Sequence, residues 1–345
     1  METLWFCLVA ALITGYVVLD GFDLGAGIAS LLIGRSAADK RLILKSIGPV
    51  WDGNEVWLLA AGGTLYFAFP ALYSSSFSGF YLPLMIVLWL LILRGIAIEF
   101  RNHIESPTWT PLWDFVFGAA SALLVVFFGA ALGNVVRGVP LDSAGDFFLP
   151  LWTDFNIGAE PGILDWYTVL VGLFAFATLT MHGALWVYLK TLGDLQQRAK
   201  RLAQHALAAV ALLALATTLI TFQVQPHILE SFAARPWGFV FPLVALTGLA
   251  GAFLSLRNKD ELKSFLASSL FITGMLASVV FGVFPYVLPS STNPALSLTV
   301  YNAKAPDYGL KIGLFWWIPG MLLALAYSVF VYRKFAGKVQ LDDAH

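Results

Sequence analysis

Apolar runs long enough to cross a bilayer recur along the whole 345-residue chain, and this repetition restricts its fold more than any other feature. Inside a bilayer each backbone N–H and C=O must be bonded within the protein, so such runs predict helices. Hydrophobic residues make up 59% of the chain and charged residues 12%, whereas a soluble domain carries about 25% charged residues. The sequence therefore predicts an all-α polytopic membrane protein, with residues 1–345 forming a single integral-membrane domain.

Nine transmembrane helices are predicted, and the basic residues indicate their orientation. Lys and Arg favour the cytoplasmic side of a membrane. Nine spans with the N-terminus outside and the C-terminus cytoplasmic place most of the 20 basic residues on that side. The spans are expected at residues 4–33, 51–70, 77–98, 113–133, 165–189, 204–224, 238–256, 264–286 and 311–332.

Several classes of site are not expected. A net charge of −1 gives no electrostatic reason to expect nucleic acid, and the single cysteine, Cys7, excludes an internal disulfide or a cysteine metal cluster. His182 is the one histidine clearly within a span, and we expect it to be hydrogen-bonded inside the bundle rather than bound to haem iron. We therefore predict no haem ligand and no metal site in this chain, with redox cofactors mainly on a partner.

Two pairs of carboxylates lie where lipid should exclude them. Asp20 and Asp23 are inside the first apolar run, and Asp52 and Glu55 open the second. Each pair has i, i+3 spacing and so shares one face of a helix. A charge at membrane depth costs about 3 kcal/mol even on lenient insertion scales, so these groups should face protein, water or a partner. The pattern predicts proton or ion handling, or packing against another membrane protein.

Further polar groups are predicted on the same side of the membrane. The first helix brings its two aspartates into its inner half, and the second begins from the cytoplasm. Together with trapped water, such groups could pass protons toward a buried reaction centre. The supporting polar and charged residues are Asn54, Arg94, Glu99, Arg101 and Asp114.

Structural roles for the same residues stay open. Asp52 could cap the second helix through backbone N–H groups, and Arg94 could be paired with Asp20 or Asp23. For Asp114 the helix-cap interpretation is favoured. For Asp52 with Glu55 the proton interpretation is favoured, because two acids on one face exceed what a cap requires.

Several segments resemble subunit II of the cytochrome bd quinol oxidases, in the same order and spacing over nearly the whole chain. The first two are VVLDGFDLGAGI at 17–28 and GPVWDGNEVWLLAAGG at 48–63. The phrase FSGFYLPL follows. The remaining segments are LRGIAIEFR at 93–101, LWDFVFG at 112–118 and FPYVLPSSTNPALSLT at 284–299.

The resemblance implies two four-helix bundles plus one peripheral helix, in a terminal respiratory oxidase of a bacterial or archaeal-type inner (plasma) membrane. Such an oxidase oxidises quinol and reduces dioxygen to water. Subunit I would carry haems b and d and the quinol-oxidising loop, and this chain would be its non-haem partner in a heterodimer. The resemblance also allows for a structural quinone in this subunit and for a small accessory subunit.

The resemblance assigns roles to individual residues as well. Asp52, the acid of the WDGN motif, would be the cytoplasmic start of a proton path to the haems. Trp57 would lie near a hydrophobic route for dioxygen. Glu55 stands where some relatives carry Gln.

Two other functions compete with the oxidase interpretation. A proton-coupled secondary transporter would use the same acids but would need a midplane cavity and broken helices, for which Gly62-Gly63 is a weak sign. A scaffold would use the acids only to hold a catalytic partner. Loss of assembly in acid variants would favour the scaffold, and loss of rate alone would favour the proton path.

Overall fold

A computed structural model describes residues 1–104, 106–158 and 161–341, and in them the chain forms twelve α-helices. A short two-stranded sheet, β1 (Tyr286–Leu288) and β2 (Leu298–Thr299), lies in the connection before the last helix. The helices are α1 (Glu2–Ile33), α2 (Ala37–Ile47), α3 (Trp51–Ala68), α4 (Pro70–Gly79), α5 (Tyr81–Phe100), α6 (Trp109–Arg137), α7 (Trp166–Lys190), α8 (Gly193–Val224), α9 (Pro226–Ala234), α10 (Val240–Arg257), α11 (Glu261–Val283) and α12 (Asp307–Lys334).

Eight helices of the described chain are long and apolar enough to cross a membrane, and the bent pair α3–α4 would be the ninth span. The prediction of a polytopic α-helical protein is confirmed. The span predicted at 51–70 corresponds to α3 (Trp51–Ala68), and the 119° turn from α3 into α4 was not predicted. Pro70 is the first residue of α4, and its missing N–H cannot continue the hydrogen bonding of α3. The 18 residues of α3 extend about 27 Å, close to the thickness of a hydrocarbon core.

Two further differences from the predicted spans concern short or polar segments. The hydropathy pattern gave no sign of α2, whose 11 residues are too few to cross a bilayer. Ser36 caps this helix, with Asp39 completing a capping box. Partial burial opposes ionisation of Asp39, but hydrogen bonds from Arg198 and from the backbone of Ser36 hold its pKa below the ordinary value. The sixth span was expected to begin at 204, but α8 begins at Gly193, so about three polar turns precede its apolar part.

Helix α1 is the centre of the packing, in contact with α3, α6 and α7. Its buried Phe22 stacks on Trp186 of α7 with ring centroids 4.1 Å apart. A Cβ added to Gly25 would overlap the carbonyl oxygen of Leu179, and one added to Gly183 would overlap the backbone of Gly25. Gly25 and Gly183 therefore allow α1 and α7 to approach closely. The contact fixes the depth and rotation of the α1 aspartates relative to α7.

We expect Gly183→Ala to destabilise the protein by about 1–3 kcal/mol, the cost of overpacking a close contact. Alanine is favoured over glycine in a helix by about 1 kcal/mol, so the clash must outweigh that gain. Gly320→Ala in α12 is the control, because a Cβ there meets nothing within 4 Å. Thermal unfolding of the purified complex should show a lower midpoint for Gly183→Ala only, and equal midpoints would contradict the packing.

Helix α12 is peripheral. In its most apolar 18-residue window, no residue is buried. Among its polar contacts, Leu310 accepts a hydrogen bond from Trp5 at 3.1 Å, Trp317 donates to Thr64 at 3.4 Å, and Tyr332 donates to Asn54 at 2.7 Å. The last of these places a side chain of α12 in the candidate site.

Candidate functional site

Arg94 of α5 is fully buried and forms an ion pair with Asp20 of α1. Its Nη1 donates to Asp20 Oδ2 at 2.7 Å and its Nη2 to Asp20 Oδ1 at 2.5 Å, a two-point contact between planar groups. Nη2 also lies 3.4 Å from Glu55 Oε2 of α3. Of the two pairings of Arg94 that the sequence left open, the structure has the one with Asp20. The Arg94 guanidinium thereby joins α1, α3 and α5. The side chains of Arg94 and Asp20 are out of contact with solvent, and that of Glu55 is 26% exposed.

Asp23 belongs to a second chain of hydrogen bonds. Asn54 Nδ2 donates to Asp23 Oδ2 at 2.8 Å and also approaches the carbonyl oxygen of Leu19 at 3.3 Å. The Tyr332 hydroxyl donates to Asn54 Oδ1 at 2.7 Å. The other carboxylate oxygen of Asp23 is buried without a hydrogen-bond partner in the described part of the chain. Tyr332 was missed in the sequence, where its one signal is its place in the last turn of the final apolar run.

The charges of this region do not balance. Asp20, Asp23 and Glu55 contribute three carboxyl groups. Among the described residues, Arg94 supplies the one cation that lies within ion-pair distance of any of these groups. Asp23 has an amide as its hydrogen-bonding neighbour. Buried charges without partners are expensive, so three fixed anions beside one cation would be costly at this depth.

Arg101 and Asp114 form a separate ion pair. Arg101 Nε donates to Asp114 Oδ1 at 2.5 Å, and Lys40 Nζ of α2 lies 3.7 Å from Asp114 Oδ2. The favoured prediction that Asp114 caps a helix is wrong. Helix α6 begins at Trp109, with Thr108 as its N-cap residue, so Asp114 lies in the second turn. These residues tie α2 and the end of α5 to α6 and contact none of the α1 aspartates.

Three predicted site residues stand apart from both networks. Asp52 is exposed in the first turn of α3, and Val50 is the N-cap residue with no side-chain cap bond. The cap interpretation of Asp52 is therefore wrong. Glu99 is exposed at the end of α5, and Trp57 is half-buried with its ring against Gly15. Within the described ranges, no hydrogen bond or ion pair joins Asp52 to Glu55, although they share one side of α3.

His182 is enclosed by hydrogen bonds. Its Nδ1 lies 2.7 Å from Ser268 Oγ and its Nε2 lies 2.9 Å from the carbonyl oxygen of Val18. The ring also stacks on Phe265 with centroids 4.8 Å apart. The expected hydrogen-bonded role of His182 is confirmed, and both nitrogens are engaged within the bundle. Among the described residues, no group of three His, Cys, Asp or Glu is placed to hold a metal ion.

Comparison with known proteins identifies the family. The family model described as cytochrome bd terminal oxidase subunit II matches residues 1–335. The chain belongs to the cytochrome bd oxidase subunit II family. A cytochrome bd ubiquinol oxidase subunit 2 from Bacillus subtilis is 32% identical over 339 residues, covering 97% of this chain and 96% of that protein. A probable cytochrome oxidase subunit 2 from Haemophilus influenzae is 31% identical over 368 residues, covering 99% and 96%.

A solved structure supports the same fold. The bd oxidase from Geobacillus thermodenitrificans superposes with a TM-score of 0.74, covering 97% of this chain and 98% of that chain at 17% identity. As a subunit II, the chain is part of a quinol oxidase complex, an oxidoreductase, and it is a multi-pass membrane protein. The family implies a complex with subunit I and haem groups on that partner. Because the chain belongs to this oxidase family, the alternative hypothesis of a proton-coupled secondary transporter is set aside.

Proposed function

We propose that this chain forms a heterodimer with subunit I in the inner (plasma) membrane and supplies cytoplasmic protons for the reduction of dioxygen to water. The observation that carries the proposal is the unbalanced group of three carboxyl groups around Arg94. Reduction of dioxygen consumes protons, and a fold that keeps ionisable groups this deep must use or neutralise them. In the complex, haems b and d on subunit I would oxidise quinol and bind dioxygen.

The exposed carboxylate of Asp52 would be the start of the proton path. Glu55 lies one helical turn further along α3 and is partly exposed, and it contacts the guanidinium that holds Asp20. Water between Asp52 and Glu55 would connect the surface to the buried pair. In this path the carboxyl groups accept and release protons, whereas Arg94 stays charged and fixes their positions.

We expect Asp52→Asn to slow quinol-dependent oxygen consumption at least several-fold, because the amide cannot bind and release a proton. Assembly with subunit I and the haem spectra should be unchanged, since Asp52 is exposed and makes no cap bond. Asp142→Asn is the matched control, an exposed acid in the predicted outer connection. Full activity of Asp52→Asn at neutral pH would refute the uptake role, and loss of assembly would favour the scaffold hypothesis.

We also propose a binding place for a structural quinone. A groove of about 530 Å³ lies between α1, α10 and α11 at the predicted outer end. It is lined mainly by apolar residues, including Phe6, Trp237 and Phe281, and Arg235 lies at its edge with its guanidinium 5.0 Å from the rings of Phe281 and Phe284. Aromatic walls with one polar edge suit a quinone ring and an isoprenoid chain.

Filling this groove tests the quinone proposal. Ala277 lines it, and we expect Ala277→Phe to reduce the quinone that organic solvent extracts from the purified complex. Oxygen consumption should persist, because the substrate quinol is oxidised on subunit I. An unchanged quinone content in an assembled Ala277→Phe complex would contradict the placement.

A further inference from the structure

A large cavity lies at the predicted cytoplasmic side, where α2, the ends of α7 and α12 and the start of α11 converge. It has a volume of about 1310 Å³, and the segment after α12 forms part of its wall. We call it the basic cavity, because six of its lining side chains are cationic and two, Glu99 and Glu261, are acidic. The cationic residues are Arg41, Lys45, Arg101, Lys190, Lys334 and Lys338.

Some of these cations have carboxylate partners. Arg101 is held by Asp114, and Lys338 pairs with Glu261. Lys190, Lys334 and Arg41 form no ion pair among the residues that the structure describes. An exposed lysine or arginine needs no fixed partner, because water solvates its charge. Lys334 and Arg41 are exposed, so the decisive residue is Lys190.

Lys190 is a buried cation at the wall of the basic cavity. The residue is 6% exposed. Its ammonium group donates to the carbonyl oxygen of Phe335 at 2.6 Å and lies 5.3 Å from the ring of Trp186. Both contacts attract the ammonium group, but neither the carbonyl oxygen nor the ring carries a negative charge. A buried ammonium group is costly unless a counter-charge compensates it. The wall of the basic cavity therefore favours the binding of an anion.

The position of the basic cavity within the membrane identifies the source of that anion. Lys190 and Lys334 are the last residues of α7 and α12, and Trp51 is the first of α3. Span ends mark the level of lipid headgroups. The wall that contains Lys334 belongs to α12, and no residue in the most apolar window of α12 is buried by the rest of this chain. Apolar lining residues such as Leu44, Leu189 and Leu262 suit the glycerol and upper acyl chains.

We propose that the basic cavity binds the phosphate of an anionic phospholipid, with Lys190 as its principal contact and Lys334 as a second. Basic pockets between helix ends on the cytoplasmic side favour anionic headgroups. The bound lipid would hold the segment after α12 against α7, because Phe335 and Lys190 are already joined. The two proposed contacts, Lys190 and Lys334, lie outside the Asp20–Arg94–Glu55 network, although Tyr332, which donates to Asn54, also lines the cavity.

The test uses the purified, delipidated complex with subunit I. Thermal midpoints are measured with phosphatidylglycerol, with phosphatidylcholine and with inorganic phosphate. We expect phosphatidylglycerol to raise the midpoint by several degrees more than phosphatidylcholine does, with no comparable effect of inorganic phosphate. Equal effects of both lipids would overturn the proposal, and so would stabilisation by inorganic phosphate equal to that by phosphatidylglycerol.

Variants assign the effect to the cavity. Lys190→Met should abolish the preference for phosphatidylglycerol, and Lys334→Gln should weaken it. Lys334 is exposed, so this variant keeps the test decisive if Lys190→Met fails to assemble. Lys263→Gln is the control, an exposed lysine at the same predicted side that pairs with Asp260 at 2.7 Å and does not line the cavity. A preference unchanged by Lys334→Gln, and by Lys190→Met where it assembles, would refute the assignment.

Discussion

Replacing Arg94 with glutamine is expected to destabilise the assembled oxidase by about 3–5 kcal/mol, the cost of removing one partner of a buried ion pair. Arg94 and Asp20 are both fully buried, and the guanidinium makes two hydrogen bonds to the carboxylate. Without it, Asp20 and Glu55 lose the cation they share. Yield of the complex and its thermal midpoint measure the effect.

Two further variants separate charge from geometry. Arg94→Lys keeps the charge but loses the planar two-point contact, so we expect an intermediate loss. Asp20→Asn combined with Arg94→Gln removes both charges, and it should be more stable than Arg94→Gln alone. A double variant no better than Arg94→Gln would show that the pair does not dominate the local energetics.

We expect Asp23→Asn to lower quinol-dependent oxygen consumption by roughly 10²-fold, the lower range for loss of a positioned proton-transfer group. The amide has nearly the same shape, and its oxygen can still accept the bond from Asn54. Folding and haem spectra should therefore be preserved. Oxygen uptake in a membrane preparation, normalised to haem content, measures the rate.

Ser30→Ala is the matched control for Asp23→Asn. Ser30 is also a buried polar residue of α1, and its hydroxyl has no hydrogen-bond partner in the described part of the chain. Its loss should leave the rate unchanged. If Asp23→Asn keeps the full rate in an intact complex, then protons do not pass through Asp23, and the role of the network is structural.

The cost of charge in lipid allowed much of the site to be predicted from the sequence. It indicated that Asp20 and Asp23 face protein, and it left pairing of Arg94 with either aspartate open. The i, i+3 spacing placed both aspartates on one side of α1, but they bind different neighbours, Arg94 of α5 and Asn54 of α3. Spacing along one helix carries no information about which other helix lies opposite each residue.

The missed bend and the wrong helix cap have physical causes that a sequence window does not contain. The bend after Ala68 interrupts an apolar run whose mean hydropathy is continuous, because the break lies in the backbone at Pro70. Asp114 could cap its helix only if the helix began next to it. Helix α6 begins five residues earlier, at Trp109, so Asp114 lies inside the helix. The hydrogen bond between Tyr332 and Asn54 joins residues from opposite parts of the chain.

The peripheral position of α12 has a consequence for how the subunit is made. The ribosome releases this helix after α1, α3 and α5 have been synthesised. Asp23 can already be hydrogen-bonded to Asn54 by then. The Oδ1 atom of Asn54 accepts its bond from the hydroxyl of Tyr332 only after α12 has been synthesised. Docking of α12 therefore completes the polar network, and a product truncated before α12 retains the acids but lacks the Tyr332 hydroxyl that donates to Asn54.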